Sequence, residues 1–324
     1  MSLEIIAEAA QGFLGDPSRK TLALAAFAAA AGADAVKFQL VYADELCTAE
    51  HRHYQLFKNL EMPDLDWQAV AERCREKKIF LYLDIFGERS LELACRIGAH
   101  GLKLHSTDVL NLPLIRQVAK ASIQRVVLSA GGTFREEIQE AISLLAGKHL
   151  VLMHGFQGYP TPLEDNQLSR IQWLKAAYPA HKIGFADHVP ESNPERLWLS
   201  VAAVAVGATV LEKHITSASV MREEDYESAL NPDEFARYVV NMRQAYAAMG
   251  SVAEKADFGM SQSEQQYRNA MKKHVVAARD LPAGTKLTAG DLAMKRTSST
   301  KAVLRDLRAA EGKRLKHAVP RDQT

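Results

Sequence analysis

Two hydrophobic periods alternate along the first 250 residues. Short apolar runs rich in β-branched and aromatic residues predict strands over Leu3–Ala7, Ala35–Phe38, Phe80–Ile85, Leu102–Leu104, Arg125–Leu128, Leu150–Met153, Lys182–Phe185 and Thr209–Leu211. Between them, apolar positions recur every three or four residues. That spacing predicts helices over Arg19–Ala31, Trp67–Lys77, Glu88–Ile97, Pro113–Lys120, Thr133–Leu145, Gln167–Tyr178, Asn193–Val206 and Pro232–Met249. Gly32 and Gly98 stand where two of these helices should stop, and Thr133 with Glu136 three residues on reads as a capping box. Strict β-then-α alternation implies a parallel sheet. Eight such units in about 250 residues predict a closed (β/α)8 TIM barrel within the α/β class rather than an open doubly wound sheet. The absence of a Gly-x-Gly-x-x-Gly after the first strand argues the same way.

Past residue 250 the pattern weakens. Residues 251–271 are polar and weakly periodic, and a linker is expected there. Residues 272–324 predict a small β-rich module: a strand at Val275–Ala278, a turn from Leu281, and a strand-like or short helical run at Leu287–Leu292. A helix at Ala302–Ala310 and a strand at Leu315–Val319 follow. The predicted organisation is a barrel over 1–250, a linker over 251–271 and a module over 272–324. Some 50 residues make a marginal free domain, so the module should lean on another surface.

Composition narrows the class. Of the 324 residues, 47% are hydrophobic and 24% charged, which is ordinary for a globular protein and not for a disordered one. Three cysteines, Cys47, Cys74 and Cys95, fall at no metal-like spacing, so a reducing, cytoplasmic setting is expected. No apolar run approaches the length of a membrane span and no secretory leader is read at the start, so no membrane partner is expected. The net charge of +1 hides an asymmetry: residues 271–324 carry 13 Lys and Arg against 5 Asp and Glu. That segment is net +8 and the rest net −7. A basic tail either is simply solvated or meets something anionic. Nucleic acid is the weakest partner, because the tail has no aromatic side chain on which a base could stack.

Active sites of (β/α)8 enzymes lie at the C-terminal ends of the strands. Those ends carry Glu8; Lys37 and Gln39; Asp84; Lys103, His105, Ser106 and Asp108; Ser129; His154; Asp187 and His188; and Glu212, Lys213 and His214. His188 and His214 fall on adjacent strands, and two imidazoles with waters make an open divalent-metal site. A hydrogen-bonded structural role for each is the plainer alternative. Lys37 and Lys103 either clamp an anion or supply a Schiff-base amine. His51 and His53, in a charged loop, read as solvated.

Several stretches together resemble the N-acetylneuraminate (sialic acid) synthase family, including its spore-coat polysaccharide synthase branch. They are Ile6-Ala7-Glu8, Gly32 to Gln39, Leu102-Lys103-Leu104, Asn111 to Ile115, Leu128 to Gly132, Tyr159 to Pro162, Gly184 to His188 and Gly207 to Thr216. Residues 272–324, with Ala278 to Gly284 and Lys295-Arg296, resemble that family's C-terminal antifreeze-like (SAF) module. The resemblance implies a metal-dependent condensation of phosphoenolpyruvate with an open-chain amino-sugar aldehyde in surface polysaccharide synthesis. It implies a divalent ion on His188 and His214, manganese with magnesium or cobalt as alternatives. It implies donor-side or substrate-binding roles for Lys37, Asp84, Lys103, Ser106, Ser129 and Gln157. It implies catalytic positions at Glu8, Gln39, Asp108, Tyr159 and Asp225. It also implies a homodimer with a swapped C-terminal module, in which Arg296 reaches the partner's sugar.

The chain departs from the family pattern at several of these places. Gly12-Phe13 replace an Asn-His pair, Leu83-Asp84 a Ser-Thr pair, and Asp108 a glutamate. Gly155 replaces a cysteine, Gln157 an asparagine and Ala186 a serine. A less polar wall beside the first strand, partly filled by the Phe13 ring, is expected, and with it poor use of N-acetylmannosamine. Two other readings remain at this point: a Schiff-base aldolase or lyase on the same barrel, and a non-catalytic sugar-binding relative.

Overall fold

The computed structural model describes residues 2–155, 158–190, 192–194, 196–250, 258–298 and 304–324. The first compact unit spans Met1–Gly250 and the second Ser251–Thr324.

In the first unit, β1 (Glu4–Ala10), α1 (Pro17–Ala30) and β2 (Ala35–Gln39) are followed by a helical excursion, α2 (Ala43–Leu46) and α3 (Tyr54–Leu60). Next come α4 (Asp64–Lys77), β3 (Phe80–Asp84), α5 (Glu88–Ile97), β4 (Gly101–Leu104), α6 (Leu112–Lys120) and β5 (Arg125–Ser129). The unit continues with α7 (Arg135–Leu144), β6 (His149–Gly155), α8 (Ser169–Ala177), β7 (Lys182–Asp187), α9 (Leu199–Ala205), β8 (Val210–Ile215), the two-residue β9 (Ala229–Leu230) and α10 (Pro232–Met249). Strands β1 to β8 pair in parallel in sequence order, and β8 pairs with β1, so the sheet closes. It is a (β/α)8 TIM barrel.

Side chains alternate across each strand. Ile6, Ala35, Tyr82, Val127, Val151 and Val210 point inward and pack as the barrel's interior layer. The outward set, including Ile5, Phe38, Leu83, Leu102, Leu152 and Leu211, packs beneath the helices in the larger core. Parity matters at the rim: the register aligns Glu8 with Lys37, Gln39 with Asp84, Asp84 with Lys103, and Glu8 with His214.

Several local expectations are corrected. Helix α7 starts at Arg135, and Glu137 rather than Glu136 closes its cap by accepting from Phe134 N at 2.7 Å. Thr133 instead donates to Ala130 O at 3.1 Å. Among the described residues, the helix expected from Asn193 begins at Leu199. Phe13 does not enter the barrel. Its ring is buried on the outer side, edge-on to Phe38 at 6.1 Å and to Trp67 at 6.4 Å, so it fills core rather than a substrate wall.

In the second unit, β10 (His274–Ala277) pairs antiparallel with β11 (Leu292–Lys295) over a small core of Val275, Ala277, Leu281, Leu287 and Ala310. The stretch expected to be a linker carries α11 (Gln262–Met271), started by Ser261, whose Oγ accepts from Glu264 N at 3.1 Å; residues 251–257 lie outside the described residues. The expected helix at Ala302–Ala310 is a single 3-10 turn, Leu307–Ala309, with 302 and 303 outside the described residues. The expected strand at Leu315–Val319 is reduced to an isolated bridge, Leu281 to Val319. Among the described residues, no helix is long and apolar enough to cross a membrane.

Candidate active site

The inward-facing strand ends open into a cavity of about 570 Å³. At its centre sits a buried charge cluster. Lys37 Nζ pairs with the Glu8 carboxylate and, at 2.7 Å, with Asp84 Oδ2. Lys103 Nζ meets Glu212 Oε1 at 2.6 Å. Strand parity explains the company: these five side chains come from β1, β2, β3, β4 and β8, each from the inward set.

Three carboxylates against two ammonium groups leave one negative charge too many for a dry site. The excess is relieved at Glu8, where burial outweighs the Lys37 charge and lifts the carboxyl to about 8, so it holds a proton at neutral pH. Burial also works against ionised Glu212, but Lys103 and Lys37 together outweigh it and hold that carboxyl at about 2. Lys37 behaves likewise: burial opposes its charge, yet the Asp84 and Glu212 carboxylates keep it protonated well above the usual lysine range. Asp84 Oδ1 and Glu212 Oε2 are buried without a hydrogen-bond partner among the described residues.

Across the cavity stand the imidazoles of His188 and His214, with ring centroids 5.1 Å apart and planes at 63°. Burial holds His188 at about 4 and His214 well below its usual value, so both are neutral at physiological pH. His188 Nδ1 lies 3.1 Å from Ala186 O. A carbonyl only accepts, so Nδ1 carries the proton and Nε2 the lone pair. The Tyr159 ring packs 5.8 Å from each imidazole, and its hydroxyl donates to the Asp225 carbonyl at 2.5 Å. Asp225 sits at φ +66°, in the left-handed region, with its carboxyl lifted by burial to about 6. Gln39 is held by Gln11, whose Nε2 donates to Gln39 Oε1 at 2.7 Å. Gly155, at φ +132°, has no room for a side chain, because a Cβ there would run into the Ala186 carbonyl.

Of the residues singled out from sequence, Glu8, Lys37, Gln39, Asp84, Lys103, Ser129, Tyr159, His188, His214 and Asp225 all line this cavity. Two others in the barrel are not brought to it. Ser106 lies in a 3-10 turn off the lining. Asp108 accepts from Asn111 Nδ2 at 3.0 Å and lines a neighbouring cavity of about 350 Å³. Arg296 lies in the second unit, where its Nε donates to Met271 O at 3.1 Å. Gln157 lies outside the described residues. His154 and Lys213, though at strand ends, face outward; His154 Nε2 bonds the Asn166 carbonyl at 2.7 Å.

Sequence reasoning undervalued Glu212, whose parity with His214 two residues on was the available signal. It also set aside the His51–His53 loop as solvated. The excursion between β2 and α4 brings Arg52, His53 and Phe57 to the cavity, and His51 to the neighbouring one. No local pattern announces that return.

The NeuB family profile matches residues 24–254, and the SAF domain profile matches residues 272–324. The chain is 31% identical to the N,N'-diacetyllegionaminic acid synthase of Campylobacter jejuni, covering 93% of this chain and 92% of that one. It is 32% identical to the spore coat polysaccharide biosynthesis protein SpsE of Bacillus subtilis, covering 76% and 68%. A crystal structure of the N-acetylneuraminic acid synthetase of Leptospira borgpetersenii, in complex with citrate, aligns with a TM-score of 0.76 at 29% identity, covering 84% of this chain and 93% of that one. With most of the barrel inside the matched region and a SAF domain behind it, this chain belongs to the NeuB family.

Proposed function

We propose that the chain is a synthase that joins phosphoenolpyruvate to the open-chain aldehyde of an amino sugar, for a surface polysaccharide. The observation that carries this reading is the pairing, across one cavity, of two neutral imidazoles with a buried lysine–carboxylate cluster. The donor set suits a divalent cation: neutral imidazole nitrogens take first-row transition ions, and a shell otherwise filled by oxygens admits manganese or cobalt, with magnesium the harder alternative. His188 and His214 would hold it, with water or substrate oxygens completing the shell; among the described residues no group of three or more His, Cys, Asp and Glu side chains is placed to hold a metal. Such an ion would supply Lewis-acid polarisation of the aldehyde oxygen.

The chain's own residues divide the remaining work. Lys37 and Lys103 exchange a carboxylate partner for the anionic oxygens of phosphoenolpyruvate. The open acceptor atoms, Asp84 Oδ1 and Glu212 Oε2, receive hydroxyl donors from the sugar. C3 of phosphoenolpyruvate bonds to the aldehyde carbon, and Glu8, protonated at neutral pH, gives its proton to the resulting alkoxide. Water adds at C2 and loses one proton to the Asp225 carboxylate; the C2–O bond to phosphate then breaks as the remaining hydroxyl proton passes to the departing phosphate, leaving a 2-keto acid and hydrogen phosphate. Asp225, at about 6, is poised for that exchange near neutrality.

Lys37 is clamped between Glu8 and Asp84 and stays protonated, which disfavours a Schiff-base aldolase, since that chemistry needs a neutral amine. The test is phosphate release from phosphoenolpyruvate with manganese and a panel of amino sugars. Release that depends on the sugar supports the synthase. Failure across the panel, or borohydride trapping of pyruvate on Lys37 or Lys103, contradicts it.

A further inference from the structure

The outward faces of the barrel strands are apolar almost throughout, with Phe38, Leu83, Leu104, Leu128, Phe185 and Leu211 packed under the helices. Asp187 on β7 and Lys213 on β8 break that rule. They are register partners in adjacent strands, both fully buried, with Nζ 3.0 Å from Oδ1. Each stands one residue before an imidazole of the site, His188 and His214.

A buried ion pair is a poor way to gain stability, because the desolvation cost rivals the attraction, so stability alone does not account for one at this position. Here the pair is anchored on both sides. Asp187 Oδ1 also accepts from Val189 N at 3.1 Å, a bond that spans His188 and tightens the backbone around it. Asp187 Oδ2 accepts from Ser200 Oγ on α9 at 2.7 Å, and Ser200 Oγ accepts from Tyr238 OH on α10 at 2.9 Å. The His188 carbonyl is held as well, by Ser228 Oγ at 2.8 Å and Thr161 N at 2.9 Å.

We propose that Asp187, Lys213, Ser200 and Tyr238 form a positioning network that sets, from behind the barrel wall, the spacing and pitch of the two imidazoles for a divalent cation. None of the four lines the cavity, so none is a catalytic residue. The network runs from α10 through α9 and β7 to β8 and ties both histidine-bearing strands at one rung. The inference rests on the cation reading given above, and its test separates the two.

The full-length chain is titrated with Mn2+ alone, with free ion read by its electron paramagnetic resonance signal and folding by thermal melting. Wild type should bind, and His188→Ala should not. The double variant Asp187→Asn/Lys213→Met should bind about 10–100-fold more weakly, the usual cost of losing second-layer support. Ser200→Ala and Tyr238→Phe, which delete single hydroxyls, should weaken binding in the same direction while melting cooperatively. They decide the matter if the double variant does not fold. Lowered melting temperatures with unchanged Mn2+ affinity in these variants would overturn the positioning role and leave only a structural one. A wild type that binds no Mn2+, or binds it equally well after His188→Ala, would overturn the cation reading and this inference with it.

Discussion

Lys37 Nζ and Asp84 Oδ2 lie 2.7 Å apart inside the barrel, with each side chain 1% exposed. The contact places a carboxylate against the ammonium group that the proposed reaction needs for an anionic donor. The family resemblance leads one to expect a hydroxyl residue here, so on the proposed reading the donor would bind against internal competition. Asp84→Ser should therefore lower the KM for phosphoenolpyruvate by about tenfold, equivalent to ~1.4 kcal/mol of relieved competition. Steady-state kinetics at fixed sugar would show it. An unchanged or raised KM would mean that Asp84 is not the competitor.

Asp225 links stability to function. Burial lifts its carboxyl from 3.8 to about 6, whereas the unfolded chain releases that proton near 3.8. The folded state thus holds the proton more tightly. The stability tied to it is complete below about pH 4 and is lost as pH rises through about 6. Asp225→Asn should raise the melting temperature at pH 7.5, by roughly 2–4 °C for each kcal/mol relieved. It should also cut turnover by about 10²–10⁴ and abolish an acidic limb near pH 6 in the rate profile. A variant with lower melting temperature and an intact limb would remove Asp225 from the proton-transfer role.

The opposite charges of the two parts of the chain motivate a third prediction. Residues 271–324 are net +8 and the rest is net −7. We propose a homodimer in which the basic SAF domain serves the partner's barrel and Arg296 completes the partner's site. Mixing Arg296→Ala with His188→Ala protein should then restore part of the activity, because one mixed site contains both intact groups. No recovery, with subunit exchange verified, would place the arginine in its own chain's site or outside any site.

Much of this architecture is legible along the chain because two physical periods are. Period-two alternation and the 3.6-residue stripe give eight βα units, and the strand ends then name most of the cavity. The misreadings share a cause, which is that local polarity does not say which way a rim residue faces. Lys213 and His154 look like site residues until parity turns them outward. Phe13 looks like a pocket wall until it packs on Phe38 and Trp67. His53 looks solvated, as His51 and Arg52 largely are, until the excursion between β2 and α4 brings it half-buried to the cavity. The second unit is harder still: its bridges and 3-10 turns are too short to leave a period in the sequence.

A cation-dependent condensation at His188 and His214 is open to a single assay. Phosphate release from phosphoenolpyruvate is followed with an accepted amino sugar, before and after EDTA, for wild type and for His188→Ala and His214→Ala proteins of verified fold. Wild type should release phosphate, lose that activity with EDTA and recover it on adding manganese, and neither variant should release phosphate under any of these conditions. Release that persists in EDTA, or turnover by either histidine variant at the wild-type rate, would contradict a cation-dependent condensation.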